Sequence, residues 1–133
     1  MTAAQATTAA PRRKHRTTAY WLVTAVVVGE SAIGGTLDLL RAAPFYPLMI
    51  QLGYPGYLAT ILGVAKLIAA AILVAPRLPR LKEWAYAGIM INMIGATASN
   101  IAGHQPVSNV VPPVVFACFA MASWALRPPS RRL

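Results

Sequence analysis

Four long apolar stretches follow one another along the chain, separated by short connections that carry prolines or charged residues. Each stretch has about 20 residues, which is the length that an α-helix needs to cross the hydrocarbon core of a membrane. We therefore predict an all-α integral membrane protein, a four-helix bundle with its spans near Ala19–Leu40, Gly56–Ala75, Trp84–Ala102 and Val107–Leu126.

The connection between the first two apolar stretches, RAAPFYPLMIQLGYP, cannot form one regular helix because it contains Pro44, Pro47 and Pro55. Its aromatic residues, including Phe45 and Tyr54, are of the kind that lies at the boundary between lipid and water. We expect a short interfacial element here, between the first and second spans, along the outer surface.

Composition and charge support the membrane interpretation and orient the spans. Hydrophobic residues make up 57% of the chain and charged residues 11%, whereas soluble domains have about 25% charged residues. Ten of the twelve Lys and Arg residues lie in three clusters, at 12–16, 77–82 and 127–132, while the first outer loop holds Arg41 and the third holds none. By the positive-inside rule, both termini are cytoplasmic (N-in/C-in).

The same charge pattern predicts the organisation of the chain. Residues 1–17 are predicted to be a disordered basic cytoplasmic tail, 18–127 the membrane domain, and 128–133 a basic cytoplasmic tail. The basic clusters are not interleaved with aromatic residues that could stack on bases, which excludes nucleic acid as a partner. The lipid bilayer is the partner that remains.

Cys118 is the only cysteine of the chain, which excludes an intramolecular disulfide and a thiolate-held metal or iron–sulfur site within one chain. Because it lies in the apolar segment VVFACFAMASW, we predict that it is a buried small apolar residue. No metal site is predicted.

Charged residues inside the predicted spans are the strongest functional signal. Glu30 is about 11 residues into the first span and Lys66 about 10 residues into the antiparallel second span, so they lie at similar depth. Charges within a membrane usually pair or face a wet interior. We therefore expect a Glu30–Lys66 contact, with Asp38 as the alternative partner, about 12 Å closer to the outside by helical rise.

Further polar residues can converge on the same interior. Glu30, Gly34 and Asp38 share one face of the first span because they recur at every fourth residue. Polar side chains on facing helices of a bundle can form a pocket that opens outward and binds a lipophilic molecule. The predicted ligand-binding residues are Glu30, Asp38, Arg41, Lys66, Asn92, Ser99 and Asn100, and the catalytic candidates are Glu30, Asp38, Lys66 and His104.

Each of these residues also has a simpler structural interpretation. A buried Glu–Lys pair can serve only to fix helix register. Asn92 and Ser99 can serve as interhelical hydrogen bonds, His104 as a solvated loop residue, and Arg41 as an anchor of the helix end.

The segment LGYPGYLATILGVAKLIAAAILVAPRLPRLKEWAYAG, from Leu52 to Gly88, resembles the DoxX-like family of small bacterial four-helix membrane proteins. The motifs LGYP-YL, LG-AK and P-LP-LKEWAYAG carry the similarity, together with TLDLL and the final W-LRP. Relatives tend to have SH…GD after the third span, where this chain has Ser99–Asn100 and Gly103–His104, so no role is transferred to this end. The resemblance implies a multi-pass protein of the bacterial cytoplasmic (inner) membrane, in a superfamily linked to quinone-dependent redox complexes.

Three classes of function are consistent with these features. The first is an accessory or quinone-binding component of a membrane redox system, with a redox protein or a second copy as candidate partner; the chain lacks the ligands to carry haem or iron–sulfur chemistry by itself. The second is a small intramembrane enzyme doing acid–base chemistry on a lipophilic molecule. The third is a carrier or channel component, which would require oligomerisation because four helices form a narrow bundle.

Overall fold

The computed structural model describes residues 3–133, with side chains from residue 12 onward. Within that part of the chain the structure is all-helical and contains no strand. Its elements are α1 (Ala3–Leu39), α2 (Phe45–Gln51), α3 (Tyr57–Val74), α4 (Pro79–Ala102), α5 (Val107–Leu126) and a short 3₁₀ helix (Pro129–Arg131).

Three of the helices are long and apolar enough to cross a membrane: α1 over Arg12–Leu39, α3 and α5. The fourth predicted span, Trp84–Ala102, lies within α4, which does not reach the same hydropathy. The reason is compositional, since the stretch from Trp84 to Ala102 contains two asparagines, a threonine and a serine.

Three helices end in the same way, with a residue of positive φ that lets the backbone reverse direction. Arg41 (φ 53°), Gly53 (φ 90°) and His104 (φ 52°) follow the ends of α1, α2 and α4. At the first of these ends the N–H of Ala42 donates to the carbonyl of Leu37 over 2.9 Å, the pattern of a Schellman cap. Arg41 and His104 therefore have a backbone role, although glycine adopts this conformation at lower energy.

Helix α1 extends beyond the first apolar stretch toward the N-terminus, and residues 12–17 belong to it. The hydroxyls of Thr17 and Thr18 each donate to the carbonyl four residues earlier over 3.0 Å. Helix is favourable here because the segment is rich in arginine and lysine, both good helix formers.

The four long helices contact one another in cyclic order: α1 with α3, α3 with α4, α4 with α5, and α5 with α1. Small side chains and a few large ones fill the space between them, namely Val27, Ala69, Leu73, Ala85, Tyr86, Ile89, Met93 and Ala120. Many large apolar side chains face outward, such as Trp84, which is 79% exposed. An apolar exterior of this kind suits a lipid environment rather than water.

Cys118 is exposed on α5, so the prediction that it is buried is wrong. Because α5 is apolar around most of its circumference, a small apolar residue there can face lipid as readily as the interior. The sequence pattern around the cysteine does not distinguish the two.

Candidate functional site: an intramembrane charged triad

Lys66 on α3 lies between two carboxylates of α1. Its Nζ is 3.1 Å from Oδ2 of Asp38 and 3.6 Å from Oε1 of Glu30. The predicted Glu30–Lys66 contact is present, and the alternative partner is present as well. One lysine can reach both because its flexible stem extends along the helix surface, between carboxylates two turns apart on one face of α1. We call these three residues the charged triad.

Glycines of α1 and α3 make room for the triad. A Cβ at Gly34 would lie 2.9 Å from Oε1 of Glu30 and 3.3 Å from Nζ of Lys66, so the absent side chain gives the ion pair its space. One residue further, a Cβ at Gly35 would lie 2.9 Å from the carbonyl oxygen of Gly63. The two helices therefore approach backbone to backbone beside the charges.

The triad is nearly closed to solvent. The exposed fractions of the side chains are 12% for Lys66, 8% for Glu30 and 2% for Asp38. Neither carboxylate oxygen of Asp38 has a hydrogen-bond partner among the described residues. Its contact with Lys66 has the distance of an ion pair without the direction of a hydrogen bond. Two carboxylates and one ammonium leave one excess negative charge when all are ionised, an arrangement that calls for a proton or a further donor.

The segment between α1 and α3 covers the triad from one side. The ring of Phe45, at the start of α2, has its centroid 5.2 Å from Nζ of Lys66. Arg41 is exposed and lies over the ring of Tyr46, 5.7 Å from its centroid. Aromatic faces attract cations, so this segment contributes to the environment of both basic residues. Its short helix has no buried residue.

The predicted site residues of α4 make other contacts. Ser99 hydrogen-bonds the hydroxyl of Tyr54, and Asn100 donates to the carbonyl of Asn109 over 2.9 Å. His104 is exposed. Among the described residues, no hydrogen bond or ion pair joins Asn92, Ser99, Asn100 or His104 to the triad.

A second charged site, not predicted from the sequence, lies near the beginning of α4. Glu83 accepts a hydrogen bond from Nε1 of Trp124 over 2.9 Å and forms an ion pair with Arg127. The hydrogen bond from Trp124, and to a smaller extent the contacts with Arg127, hold the pKa of the Glu83 carboxyl below its ordinary value of 4.5. The contacts join α4 to the end of α5.

Hydroxyl groups extend this connection into the space between the helices. The hydroxyl of Ser123 lies 2.7 Å from that of Tyr86 and 2.6 Å from that of Thr24. All three residues are buried, and they belong to α5, α4 and α1. The sequence offered little signal for this network because serine and threonine are common in apolar helices.

Lys82 is fully buried at the end of α3. Its ammonium donates to the carbonyl of Ile72 over 2.7 Å and to that of Ala75, which satisfies carbonyls left free at a helix C-terminus. Burial lowers the pKa of Lys82, and the nearby positive charge of Arg131 lowers it further. The sequence predicts a cytoplasmic loop lysine, whereas the structure shows a helix cap.

Comparison with known proteins gives one match. The family model described as the DoxX-like family matches residues 22–123, which include the triad and Glu83. No curated protein and no solved structure matches the chain significantly.

Proposed function

The chain belongs to the DoxX-like family, and from this premise we propose that it binds a lipophilic molecule with a polar head group at the charged triad. A quinone is the favoured ligand, and an accessory role in a redox system of the bacterial cytoplasmic membrane is the favoured function. The multi-pass membrane character follows from the family and from the apolar helices.

The proposal includes four membrane spans with both termini in the cytoplasm. Helix α4 has 24 residues, enough at about 1.5 Å per residue to cross a core about 30 Å thick, and it contacts both α3 and α5. One groove is lined by Arg13, Arg16 and Thr17 together with residues 126–130 and Arg132, which supports placing both ends of the bundle-forming chain on one side. The basic clusters favour the cytoplasmic side.

The observation that carries the ligand proposal is the unsatisfied state of Asp38. A carboxylate that is 2% exposed and lacks a hydrogen bond within the described part of the chain is costly in hydrocarbon unless another group completes its contacts. A pair that only fixed register would need one counter-ion, yet Lys66 has two. A quinol hydroxyl can donate to Asp38, and Lys66 has three N–H donors that can reach a quinone carbonyl.

The ligand reaches the triad by displacing the Phe45 segment. The ring of Phe45 lies over Lys66. The helix that carries it, α2, has no buried residue, and its main contacts with the long helices are with α1. Segments with few buried contacts open at low free energy. In the bound state the aromatic ring packs against the head group in place of the ammonium.

Acid–base chemistry on the bound molecule is a second candidate function. Two carboxyl groups share one ammonium, so a proton held by one of them can be donated to the ligand while the other stays ionised. Mass analysis of a candidate lipophile before and after incubation with the protein separates this enzyme function from binding alone.

Ligand-induced thermal stabilisation tests the proposal. Purified protein in neutral detergent is titrated with a short-chain quinone and, separately, with its quinol. We expect a saturable rise in melting temperature for the wild type and a loss of apparent affinity of at least about tenfold in Asp38→Asn. Thr97→Val is the control, because within the described residues the hydroxyl of Thr97 bonds only the carbonyl of Met93 in its own helix. Folded Asp38→Asn and Lys66→Met variants that keep full affinity would reject the triad as the binding site.

A further inference from the structure

A groove of about 530 Å³ lies between the N-terminal half of α1 and the chain at and after the end of α5. Four arginines line it: Arg13 and Arg16 from α1, with Arg127 and Arg132 from the C-terminal side. The groove is distant in sequence from the triad and shares none of its residues.

Side-chain carboxylates cannot neutralise this groove. The chain has three acidic residues in total. Glu30 and Asp38 contact Lys66, and Glu83 contacts Arg127. The remaining three arginines of the groove therefore have no acidic side chain left to pair with.

Two of these guanidinium groups converge on one atom. Arg16 donates to the carbonyl oxygen of Ala125 over 3.0 Å, and Arg132 donates to the same oxygen over 3.3 Å. The carbonyls at the end of α5 bear partial negative charge, which holds the two cations side by side. Two guanidinium groups that bond the same oxygen lie close enough to repel each other, and an anion placed between them would stabilise both.

We propose that the groove binds a phosphate group, and that the phosphate belongs to an anionic membrane phospholipid. Guanidinium forks match phosphate oxygens in bidentate geometry, and several arginines around one groove supply more than one such fork. The groove lies where the apolar stretch of α1 begins and that of α5 ends. In a membrane-spanning helix this is the level of the lipid head groups. Leu126, which also lines it, offers apolar contact to the adjoining acyl chain.

Charge-matched variants test the proposal. Arg13→Gln and Arg13→Gln/Arg16→Gln remove positive charge from the groove. Arg12→Gln and Arg12→Gln/Arg80→Gln remove the same charge from exposed arginines that do not line it. Melting temperature in neutral detergent is followed against short-chain phosphatidylglycerol, phosphatidylcholine and inorganic phosphate.

We expect the wild type to respond saturably to phosphatidylglycerol and weakly to phosphatidylcholine. The groove double variant should lose apparent affinity for phosphatidylglycerol by at least about tenfold, while the Arg12/Arg80 control stays within about twofold of wild type. Arg13→Lys should retain only part of the affinity, because lysine keeps the charge and loses the fork.

Three results would overturn the proposal. Equal losses in groove and control variants would indicate general electrostatic attraction. Saturation by inorganic phosphate with no response to phosphatidylglycerol would assign the groove to a free anion. If Arg13→Gln/Arg16→Gln does not fold, Arg13→Gln alone decides, because the Arg13 side chain forms no hydrogen bond or ion pair with the described residues and full affinity in that variant would exclude the site.

Discussion

Gly63→Ala should destabilise the protein because the added methyl group has no space between α1 and α3. A Cβ at Gly63 would lie 2.8 Å from the carbonyl oxygen of Gly35 and 2.8 Å from Cγ of Leu39, whereas ordinary contacts are 3.4–4 Å. The helices must therefore separate by about 0.6 Å or distort. Overpacking of this kind costs about 1–3 kcal/mol. Because Lys66 follows on the same helix, the separation also draws its ammonium away from both carboxylates.

The matched control is Gly95→Ala in α4. A Cβ there meets nothing within 4 Å, so replacing a glycine inside a helix should stabilise the protein by about 0.5–1 kcal/mol. The assay is the free energy of unfolding in mixed micelles, measured by titration with a denaturing detergent. A Gly63→Ala protein as stable as wild type, or a Gly95→Ala protein equally destabilised, would refute the close backbone approach at Gly35 and Gly63.

Three further predictions follow from individual contacts. Lys66→Met should lower the free energy of unfolding by about 3–5 kcal/mol because it leaves buried carboxylates without a counter-ion, and adding Asp38→Asn should recover part of that loss. If an unfolding titration finds the double variant no more stable than Lys66→Met, Lys66 and Asp38 are not an ion pair. Because the pKa of Glu83 is lowered in the folded state, its ionised carboxylate stabilises that state above about pH 4.5, and this contribution is lost as the pH falls through the pKa of the folded state. Glu83→Gln should therefore lower stability at neutral pH and flatten the acid limb of a stability–pH curve. His104→Gly should raise the free energy of unfolding by about 0.5–1 kcal/mol because φ is 52° there, and a destabilised variant would show that the imidazole itself contributes.

Hydropathy and proline positions were enough to predict much of the helical structure. The predicted fourth stretch, Val107–Leu126, has the bounds of α5, and the second, Gly56–Ala75, exceeds α3 by one residue at each end. These boundaries are readable because prolines and charged residues interrupt the apolar runs. Depth counting likewise placed Glu30 beside Lys66.

Side-chain reach and helix ends were not predictable in the same way. Depth counting treats a residue as a point at its Cα, whereas the Lys66 stem runs along the helix to contact Asp38 more closely than Glu30. The roles of His104 and Lys82 depend on where the backbone turns, and a charge count over loops does not contain that information. Residues that cap helices therefore looked like site or loop residues in the sequence.

The most direct test of the ligand proposal is an experimental structure of the protein purified in mild detergent with its native lipids, at a resolution that shows density beside Lys66. We predict non-protein density within hydrogen-bond distance of Lys66 Nζ and Asp38, with the ring of Phe45 moved off the ammonium to pack on a head group. A closed triad would contradict the account: Phe45 still over Lys66, Asp38 bonded only to Lys66 or water, and no added density after soaking with a short-chain quinone.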